Sequence, residues 1–269
     1  MVDQIHIMGI LNLTPDSFYP GSRTGKDDVL RRFLQMRVDG ADIVDIGACS
    51  TRPGAPQPSE EEEWRRLEPA LRTLRSQGES LSIDTYRSLI VRRAYDVIGP
   101  FMVNDISAGA MDPDMLATVA SLKLPYVAMH MRGTPETMQH FTDYEDVVTE
   151  VNAYFEAFSA RAAPAGLHDW ILDPGFGFSK TTEQNWELLR RLREVRTYGH
   201  EVLVGLSRKS MIYKKLGITP EEAMPATQVA QFAAMKNGAR WLRVHDVAEA
   251  VQTARLYSTM YTSSPGAEK

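Results

Sequence analysis

The residues best suited to chemistry stand at the ends of short apolar runs. These runs cover residues 6–13, 42–47, 81–84, 101–104, 125–130, 170–173, 201–206 and 240–244. The polar residues at or just after their ends are Asn12, Asp84, Asn104, His130, Asp173, Ser207, Lys209, Arg243 and His245. If polar residues only marked where the strands stop, Gly, Ser and Asn would be expected at these positions. Runs such as Ser-Ile-Asp-Thr and Val-Asn-Asp instead carry carboxylate and carboxamide groups. The pattern therefore predicts a ring of functional side chains.

The basic members of this ring cluster at its last two positions. Ser-Arg-Lys-Ser spans 207–210, and Arg243 and His245 end the last run. Ser-Thr-Arg-Pro-Gly at 50–54 adds hydroxyl groups and a guanidinium. Since Arg and Lys form charge-assisted hydrogen bonds with phosphate, this side of the ring is expected to bind an anion.

The opposite side of the ring carries Asp84, Asn104 and Asp173. A carboxylate accepts two parallel N–H bonds from an amidine-like edge, as it does from a guanidinium. The large apolar side chains near the same run ends are Met129, Phe176 and Phe178. They can pack on a flat ring or simply fill the core. The two sides together suit a ligand with a nitrogen heterocycle at one end and phosphate at the other.

A ring of this kind needs parallel strands to position it. The runs are too apolar for strands with one solvated face, which favours a buried parallel sheet. Helical patterns separate them, and Ser59 with Glu62 and Thr219 with Glu222 have the spacing of capping boxes. Eight strands in strict alternation with about eight helices predict a single (β/α)8 TIM barrel in the α/β class, whose active site lies at the C-terminal ends of its strands. We expect one domain over residues 1–269, with a polar tail at 262–269.

Composition narrows the class of protein. The chain has 269 residues, with 30 Lys and Arg against 35 Asp and Glu, a net charge of −5. No basic excess favours nucleic acid or an anionic membrane as a partner. The lone cysteine, Cys49, cannot form an intramolecular disulfide. The N-terminus lacks signal-peptide features, and no apolar run approaches the roughly 18 residues of a membrane span. These features predict a protein of a reducing, cytoplasmic compartment.

Eight segments, in order along nearly the whole chain, resemble the dihydropteroate synthase family. They are MGILNLTPDSF (8–18), DIGACSTRPGA (45–55), SIDTYR (82–87), VNDISAG (103–109), MHMRGTP (129–135), ILDPGFGFSK (171–180), VGLSRKSMI (204–212) and RVHDV (243–247). The resemblance implies a pterin-binding barrel that forms a homodimer. It implies condensation of 6-hydroxymethyl-7,8-dihydropterin pyrophosphate with 4-aminobenzoate in folate synthesis, with sulfonamides as competitors of the aminobenzoate.

The resemblance also implies roles for individual residues. The substrate-binding set is Thr51, Arg52, Asp84, Asn104, Met129, Asp173, Phe178, Ser207, Lys209, Arg243 and His245. Asp84, Asn104 and Asp173 would hold the nitrogen edge of the pterin. Lys209 would meet its carbonyl and N5 side. The expected catalytic residues are Asp84, Asp173, Lys209 and Arg243.

The remaining implied roles concern pyrophosphate, metal and aminobenzoate. The residues expected at the pyrophosphate are Thr51, Arg52, Arg243 and His245, with Arg243 also covering the pterin face. Asn12 would bind Mg²⁺ together with the pyrophosphate. Ser207 would meet the aminobenzoate carboxylate, in a pocket lined by Phe178 and Pro53.

Two departures from the family pattern keep a second interpretation open. Pro20 stands where the family has an acidic residue, and Ala48-Cys49 replaces Gly-Glu. Asp16 is a possible substitute for the lost carboxylate. The departures are compatible with a pterin-binding relative that has weak or no synthase activity. A methyltetrahydrofolate-type methyltransferase shares the barrel, but Ser-Thr-Arg-Pro-Gly and Ser-Arg-Lys-Ser count against it.

Overall fold

The computed structural model describes residues 4–13, 23–49 and 57–261. It contains eight parallel strands, each close to one of the predicted runs. They are β1 (His6–Asn12), β2 (Ile43–Gly47), β3 (Leu81–Asp84), β4 (Met102–Asp105), β5 (Tyr126–Met129), β6 (Trp170–Asp173), β7 (Leu203–Val204) and β8 (Trp241–Val244). Their order in the sheet is β6-β5-β4-β3-β2-β1-β8-β7.

The sheet closes into a barrel through a single bridge between its two end strands. Leu172 in β6 pairs with Val202, just before β7, and its N–H donates to the carbonyl of Glu201 at 2.9 Å. β7 is only two residues long, whereas the sequence predicted six. The predicted (β/α)8 barrel is confirmed, with its narrowest pairing at this seam.

Helices cover the outside of the barrel. Those in the described ranges are α1 (Arg23–Asp39), α2 (Glu60–Thr73), α3 (Ser88–Ile98), α4 (Met115–Leu122), α5 (Val147–Ala162), α6 (Thr182–Arg190), α7 (Ser210–Leu216), α8 (Met224–Lys236) and α9 (Val247–Tyr261). Short 3₁₀ helices span Arg75–Ser80, Met138–His140 and Leu192–Glu194. None of the helices in this part of the chain is both long and apolar enough to span a bilayer.

Two details of the predicted helices are wrong. Both α7 and α8 lie between β7 and β8, so the alternation of strand and helix is not strict. Thr219 and Glu222 make the reciprocal hydrogen bonds of a capping box, but these bonds hold a turn and α8 begins only at Met224. At α2 the cap is as expected, because Ser59 Oγ accepts from the N–H of Glu62 at 3.3 Å. A single domain over 1–269 remains a prediction, and its tail at 262–269 lies outside the described residues.

The apolar residues form layers on both sides of the sheet. The main core lies between the strands and the helices. Inside the barrel, a smaller group, here called the interior apolar layer, fills the part near the strand N-termini. It consists of Met8, Met102, Val127, Ile171, Leu203 and Trp241, with Ile43 packed against them. Because strand side chains alternate between the two faces, the residues two positions further along also point into the barrel.

A buried ion pair joins α2 to the loop that follows β3. Glu63 on α2 is fully buried, accepts from Thr85 Oγ1 at 2.6 Å and pairs with the guanidinium of Arg87. Arg87 also donates to the carbonyl of Pro58 at 2.7 Å. Removing one partner of such a pair leaves an uncompensated buried charge. The pair therefore fixes the chain at Pro58, just before α2, relative to the loop after β3.

We expect Glu63→Ala to lower the free energy of unfolding by about 3 kcal/mol, because Arg87 and Thr85 lose their buried acceptor. Denaturant titration measures the loss. Glu68→Ala is the matched control, since Glu68 forms an exposed pair with Arg72 on the same helix and should change stability only slightly. Equal losses for the two variants would contradict this role of Glu63.

Candidate active site

Polar side chains form a second layer inside the barrel, towards the C-terminal ends of the strands. They follow the interior apolar layer by two residues, as strand alternation requires. The members on β2, β4, β6 and β8 are Asp45, Asn104, Asp173 and Arg243. On β3, Asp84 follows the buried Ser82 in the same way. The barrel therefore presents a ring of charged and amide groups above an apolar layer.

Arg243 is the centre of this ring. Its Nε donates to Asp45 Oδ2 at 2.7 Å, and its Nη2 donates to Asp84 Oδ2 at 2.8 Å. Asn104 Nδ2 donates to the same oxygen of Asp45 at 2.9 Å. The predicted separation into a basic side and an acidic side is therefore wrong for Arg243. Its long side chain reaches from β8 across β1 to carboxylates on β2 and β3, because opposite charges attract strongly where water is scarce.

Asp45 is the functional candidate that the sequence interpretation missed. It is fully buried, and its Oδ1 has no hydrogen-bond partner among the described residues. An unpaired buried oxygen is costly and indicates a position where a ligand can donate a hydrogen bond. The search for polar residues at run ends overlooked it because it stands in the middle of its run. The signal that could have found Asp45 is its spacing: it lies two residues after Ile43, so both side chains point to the same face of β2.

Asp84 lies against β2 with little room. A Cβ on Gly47 would stand 3.2 Å from the Cβ of Asp84, so the glycine permits this approach. Burial raises the pKa of Asp84 to about 7, while the neighbouring Arg243 lowers it and Asp45 raises it. The ion pair with Arg243 therefore opposes the effect of burial on this carboxyl.

Asp173 and Lys209 lie in the same mouth on β6 and before α7. Asp173 Oδ1 accepts from the N–H of Gly175 at 2.8 Å, and burial raises the pKa of this carboxyl. Burial lowers the pKa of Lys209 to about 8, although Asp173 opposes the shift. The Lys209 ammonium stands 4.5 Å from the centre of the Phe178 ring. This distance is within the range of a cation–π interaction.

An apolar cluster, here called the mouth cluster, lies beyond the ends of β3 to β6. It consists of Tyr86, Ile106, Met129, Met131, Met138 and Phe178. It includes two of the three residues proposed to pack on a ring. The third, Phe176, belongs to the main core instead, so for this residue the alternative of core packing is correct. Tyr86 and Ile106 had no sequence signal, because they lie in loops.

Ser207 and His245 form a pair after β7 and β8. Ser207 Oγ lies 3.0 Å from His245 Nδ1 and accepts from the backbone N–H of His245 at 3.2 Å. Burial lowers the pKa of His245 to about 4, and Arg243 adds to the shift. Burial thus favours the neutral imidazole, which has one donor and one acceptor nitrogen. Arg208 of the Ser-Arg-Lys-Ser segment is held in a bidentate pair with Asp246, at 3.0 and 2.7 Å.

His130 is not part of the ring, contrary to the sequence prediction. It is buried on the outer side of the barrel, with its ring edge-on to Tyr154 of α5 at 4.8 Å between centroids. As the residue after Met129, it has the opposite orientation, since neighbouring side chains in a strand alternate. Its Nδ1 lies 2.9 Å from the ammonium of Lys180.

The metal assignment rests on Asn12 alone within the described ranges. Asn12 is partly exposed at the end of β1 and pairs in register with Gly47. No group of three or more His, Cys, Asp or Glu side chains there has a metal-binding arrangement. A carboxamide oxygen nevertheless suits Mg²⁺, which is commonly held by one or two protein oxygens together with substrate phosphates and water. Thr51 and Arg52, with Pro53, Asp16 and Pro20, lie outside the described residues.

Cys49 is described and has the environment of an inert thiol. It is half-buried, with its Sγ 3.9 Å from Arg87 Nη1. Burial raises the pKa of the thiol, and the nearby Glu63 carboxylate raises it further. Since the thiolate is the reactive form, this site disfavours thiol chemistry.

We expect Cys49 to react with an aromatic disulfide reagent at pH 7.5 at least about tenfold more slowly in the folded protein than in denaturant. The absorbance of the released thiolate measures both rates. Cys49→Ser, which has no thiol, gives the background. Labelling of the folded protein at the rate of the denatured chain would contradict the inert assignment.

Comparison with known proteins defines first the class of enzyme. A family model described as pterin binding enzyme matches residues 8–245, a range that contains the C-terminal ends of all eight strands. The chain therefore has the fold of a pterin-binding barrel enzyme.

The relatives define the family more closely. The chain is 40% identical over 255 residues to the dihydropteroate synthase of Escherichia coli strain K12, covering 93% of this chain and 90% of that one. It is similar to the Xanthomonas albilineans dihydropteroate synthase solved with 4-aminobenzoic acid, with a TM-score of 0.88, 37% identity and coverage of 97% and 95%. The Clostridium difficile dihydropteroate synthase solved with pteroic acid has a TM-score of 0.90, 33% identity and coverage of 97% and 98%. The chain belongs to the dihydropteroate synthase family of transferases, as its sequence predicted.

Proposed function

We propose that this protein joins 6-hydroxymethyl-7,8-dihydropterin pyrophosphate to 4-aminobenzoate, giving dihydropteroate and pyrophosphate. The observation that carries the proposal is the buried ring of Asp45, Asp84, Asn104 and Asp173 around Arg243. Such a concentration of hydrogen-bond acceptors inside a barrel is costly without a ligand that donates to them. The amino group and ring N–H of a pterin are donors of the required kind.

The ring can hold the heterocycle from several directions. Asp173, Asp84 and the unpaired Oδ1 of Asp45 accept from pterin N–H groups, and Asn104 offers an amide. Lys209 donates to the pterin carbonyl or N5. The apolar side chains of Met129 and Phe178 in the mouth cluster border the flat ring. This arrangement supports the roles that the family resemblance implies.

The aminobenzoate would lie on the Phe178 side. Ser207 Oγ has two acceptor positions and one proton. When His245 donates to it through both its backbone N–H and Nδ1–H, the hydroxyl proton is free for the aminobenzoate carboxylate. His245 can in the other tautomer donate through Nε2 to the pyrophosphate. Ser207 and His245 would therefore act as one unit, whose tautomer is set by its ligands.

Mg²⁺ is part of this proposal, with Asn12 as its protein ligand. When bound, the ion would neutralise charge on the leaving pyrophosphate. The remaining cationic partners of the pyrophosphate would be Arg243 and, by family resemblance, Arg52, with the Thr51 hydroxyl as a further donor. Arg243 is paired with Asp45 and Asp84. Pterin N–H groups that bind these carboxylates would compete with it and so favour its contact with the pyrophosphate.

The chemistry is substitution at the pterin methylene. The C–O bond to pyrophosphate breaks and its electron pair leaves with the oxygen. The arylamine nitrogen then forms the new C–N bond and loses a proton to solvent. The positive charge that develops on the pterin is stabilised by the buried carboxylates of Asp173 and Asp84, and the basic groups stabilise the leaving group. No covalent enzyme intermediate is required, because the amine is itself the nucleophile.

A weakly active or inactive pterin-binding protein is the second candidate. The observations in its favour are Pro20 in place of an acidic residue and Cys49, a thiol held in its neutral form, in place of glutamate. By family resemblance, Pro20 removes an acidic group of the first loop that would assist Mg²⁺ or the developing cation. The residues proposed to hold the pterin ring, Asp84, Asn104 and Asp173, lie on other segments. The family relatives favour the synthase over the methyltransferase alternative.

A pyrophosphate-release assay distinguishes the two candidates. We expect release from the pterin pyrophosphate that depends on both Mg²⁺ and 4-aminobenzoate. Calorimetry with a simple pterin, run in parallel, reports binding without turnover. Tight pterin binding with no release would establish the binding protein, and the absence of both would reject the proposed ligand.

We expect Asp173→Asn to weaken binding of a simple pterin by about 2–4 kcal/mol with little change in melting temperature. The asparagine keeps an oxygen for the N–H of Gly175 but loses the charge and places an N–H against a ligand N–H. Calorimetry gives the affinity. Asp169→Asn is the control, because Asp169 is exposed one residue before β6, at the opposite end of the barrel. Unchanged affinity in Asp173→Asn would refute the assignment.

We also propose a homodimer in the cytoplasm. Exposed apolar side chains on adjacent helices support the dimer, with Val229 on α8 and Leu256 and Met260 on α9 each more than half exposed at 72%, 57% and 59%. Apolar groups that lie together on a surface are typical of subunit contacts. The single cysteine suits a reducing compartment.

A further inference from the structure

A buried lysine and histidine lie directly beneath the proposed site, on the outer side of the barrel. Lys180 and His130 are 4% and 1% exposed, so neither presents surface to a substrate. The Lys180 ammonium lies 2.9 Å from His130 Nδ1 and donates to the carbonyls of Gly175 at 3.0 Å and Phe178 at 3.2 Å. An ammonium has three protons, and here it meets three acceptors.

These contacts tie the loop after β6 to the end of β5. Residues 174–180 form this loop, here called the β6 loop. Arg132 N–H donates to Ser179 Oγ at 3.0 Å, which adds a second link to the chain after β5. Gly175 has a φ of +70°, and a Cβ there would stand 2.0 Å from the carbonyl oxygen of His130. The β6 loop is therefore seated directly on the backbone of His130.

The same loop carries two proposed substrate contacts. The N–H of Gly175 holds Asp173 Oδ1 at 2.8 Å, and the N–H of Phe178 donates to the carbonyl of Gly175 at 3.1 Å. Lys180 thus binds both ends of the turn that orients Asp173 on one side and the Phe178 ring on the other. A shift of this turn would move both groups together.

Burial and the neighbouring positive charges both favour the neutral form of His130. Burial lowers the pKa of His130 well below its usual value, and Lys180 and Arg132 lower it further. A neutral ring can accept at Nδ1, which a protonated ring cannot. Burial lowers the pKa of Lys180 to about 7, with Asp173 acting against the shift and Arg132 and Lys209 reinforcing it.

We propose that Lys180 and His130 are positioning residues that fix the β6 loop, so that Asp173 and Phe178 are held in register for pterin and aminobenzoate. The proposal rests on the proposed function for its substrates. The two residues act through the loop and do not touch the reacting atoms.

The test compares variants that remove the bonds with one that keeps them. Lys180→Met removes the charge and all three donors at similar size, and His130→Leu removes the acceptor. His130→Asn places an oxygen near the Nδ1 position and is the conservative variant. Val91→Ala, in a fully buried position on α3, is the control for loss of stability alone.

We expect Lys180→Met and His130→Leu to raise the KM for 4-aminobenzoate about tenfold and the Kd for a simple pterin several-fold. His130→Asn should lie within about threefold of the unaltered protein. Val91→Ala should lower the melting temperature and leave KM and Kd unchanged. If Lys180→Met lowers only the melting temperature, as Val91→Ala does, the positioning role is overturned.

Amide hydrogen exchange separates this proposal from the proposed function. The N–H groups of Gly175, Gly177 and Phe178 are hydrogen-bonded, so release of the loop should speed exchange in peptides covering 174–180. This measurement needs no substrate. Unchanged exchange in Lys180→Met would overturn the positioning role even if the enzyme is active. Faster exchange confined to this loop would support it even if the protein has no synthase activity.

Discussion

Arg243 and the two carboxylates that it binds are the interaction on which the rest of the site depends. Asp45 and Asp84 are buried inside the barrel, where an unpaired carboxylate is severely destabilised. Their pairing with one guanidinium makes the arrangement tolerable, but such a pair contributes little net stability, because desolvation offsets the attraction. An apolar barrel interior would serve folding as well or better. The ion cluster is therefore best explained by ligand binding.

This cluster determines the details of the strands around it. Gly47 has no side chain at the point where Asp84 approaches β2. Asn104 donates one of its amide protons to Asp45. Below the cluster, the interior apolar layer excludes water from the strand N-termini and keeps the effective dielectric constant low. The perturbed pKa values of Asp84 and Lys209 follow from the same exclusion of water. The polar layer lies directly above the apolar layer because side chains two residues apart in a strand point to the same face.

Three loops of the described mouth, those after β3, β4 and β6, are each held by buried polar side chains. Glu63 and Arg87 hold the loop after β3, and Lys180 with His130 holds the loop after β6. After β4, the Asp105 carboxylate accepts from the Tyr126 hydroxyl at 2.6 Å and from two loop N–H groups. Loops that carry function must be held firmly by the scaffold beneath them. In this barrel the anchors lie on the outer side of the strands, so the inner side is free for ligand groups.

The sequence by itself determined the barrel and much of the ring. Eight apolar runs separated by helical patterns are local features, and their order fixed the parallel topology. Asp84, Asn104, Asp173 and Arg243 were visible because they break apolar runs near their ends. The sequence could not show that Arg243 reaches Asp45 and Asp84, because those residues are 198 and 159 positions away along the chain.

Only the tertiary structure separated the inner side of the barrel from the outer side. His130 ends a predicted run just as Asp173 does, yet its side chain lies on the outer side of the barrel, where it contacts Lys180. Asp45 lies within a run, and only its phase relative to the interior apolar layer brings it into the site. A one-residue difference reverses the face of a strand, and the ends of a run are uncertain by at least that much in sequence. Closure of the barrel decides which face becomes the interior, and this closure depends on pairing between strands that are distant in the chain.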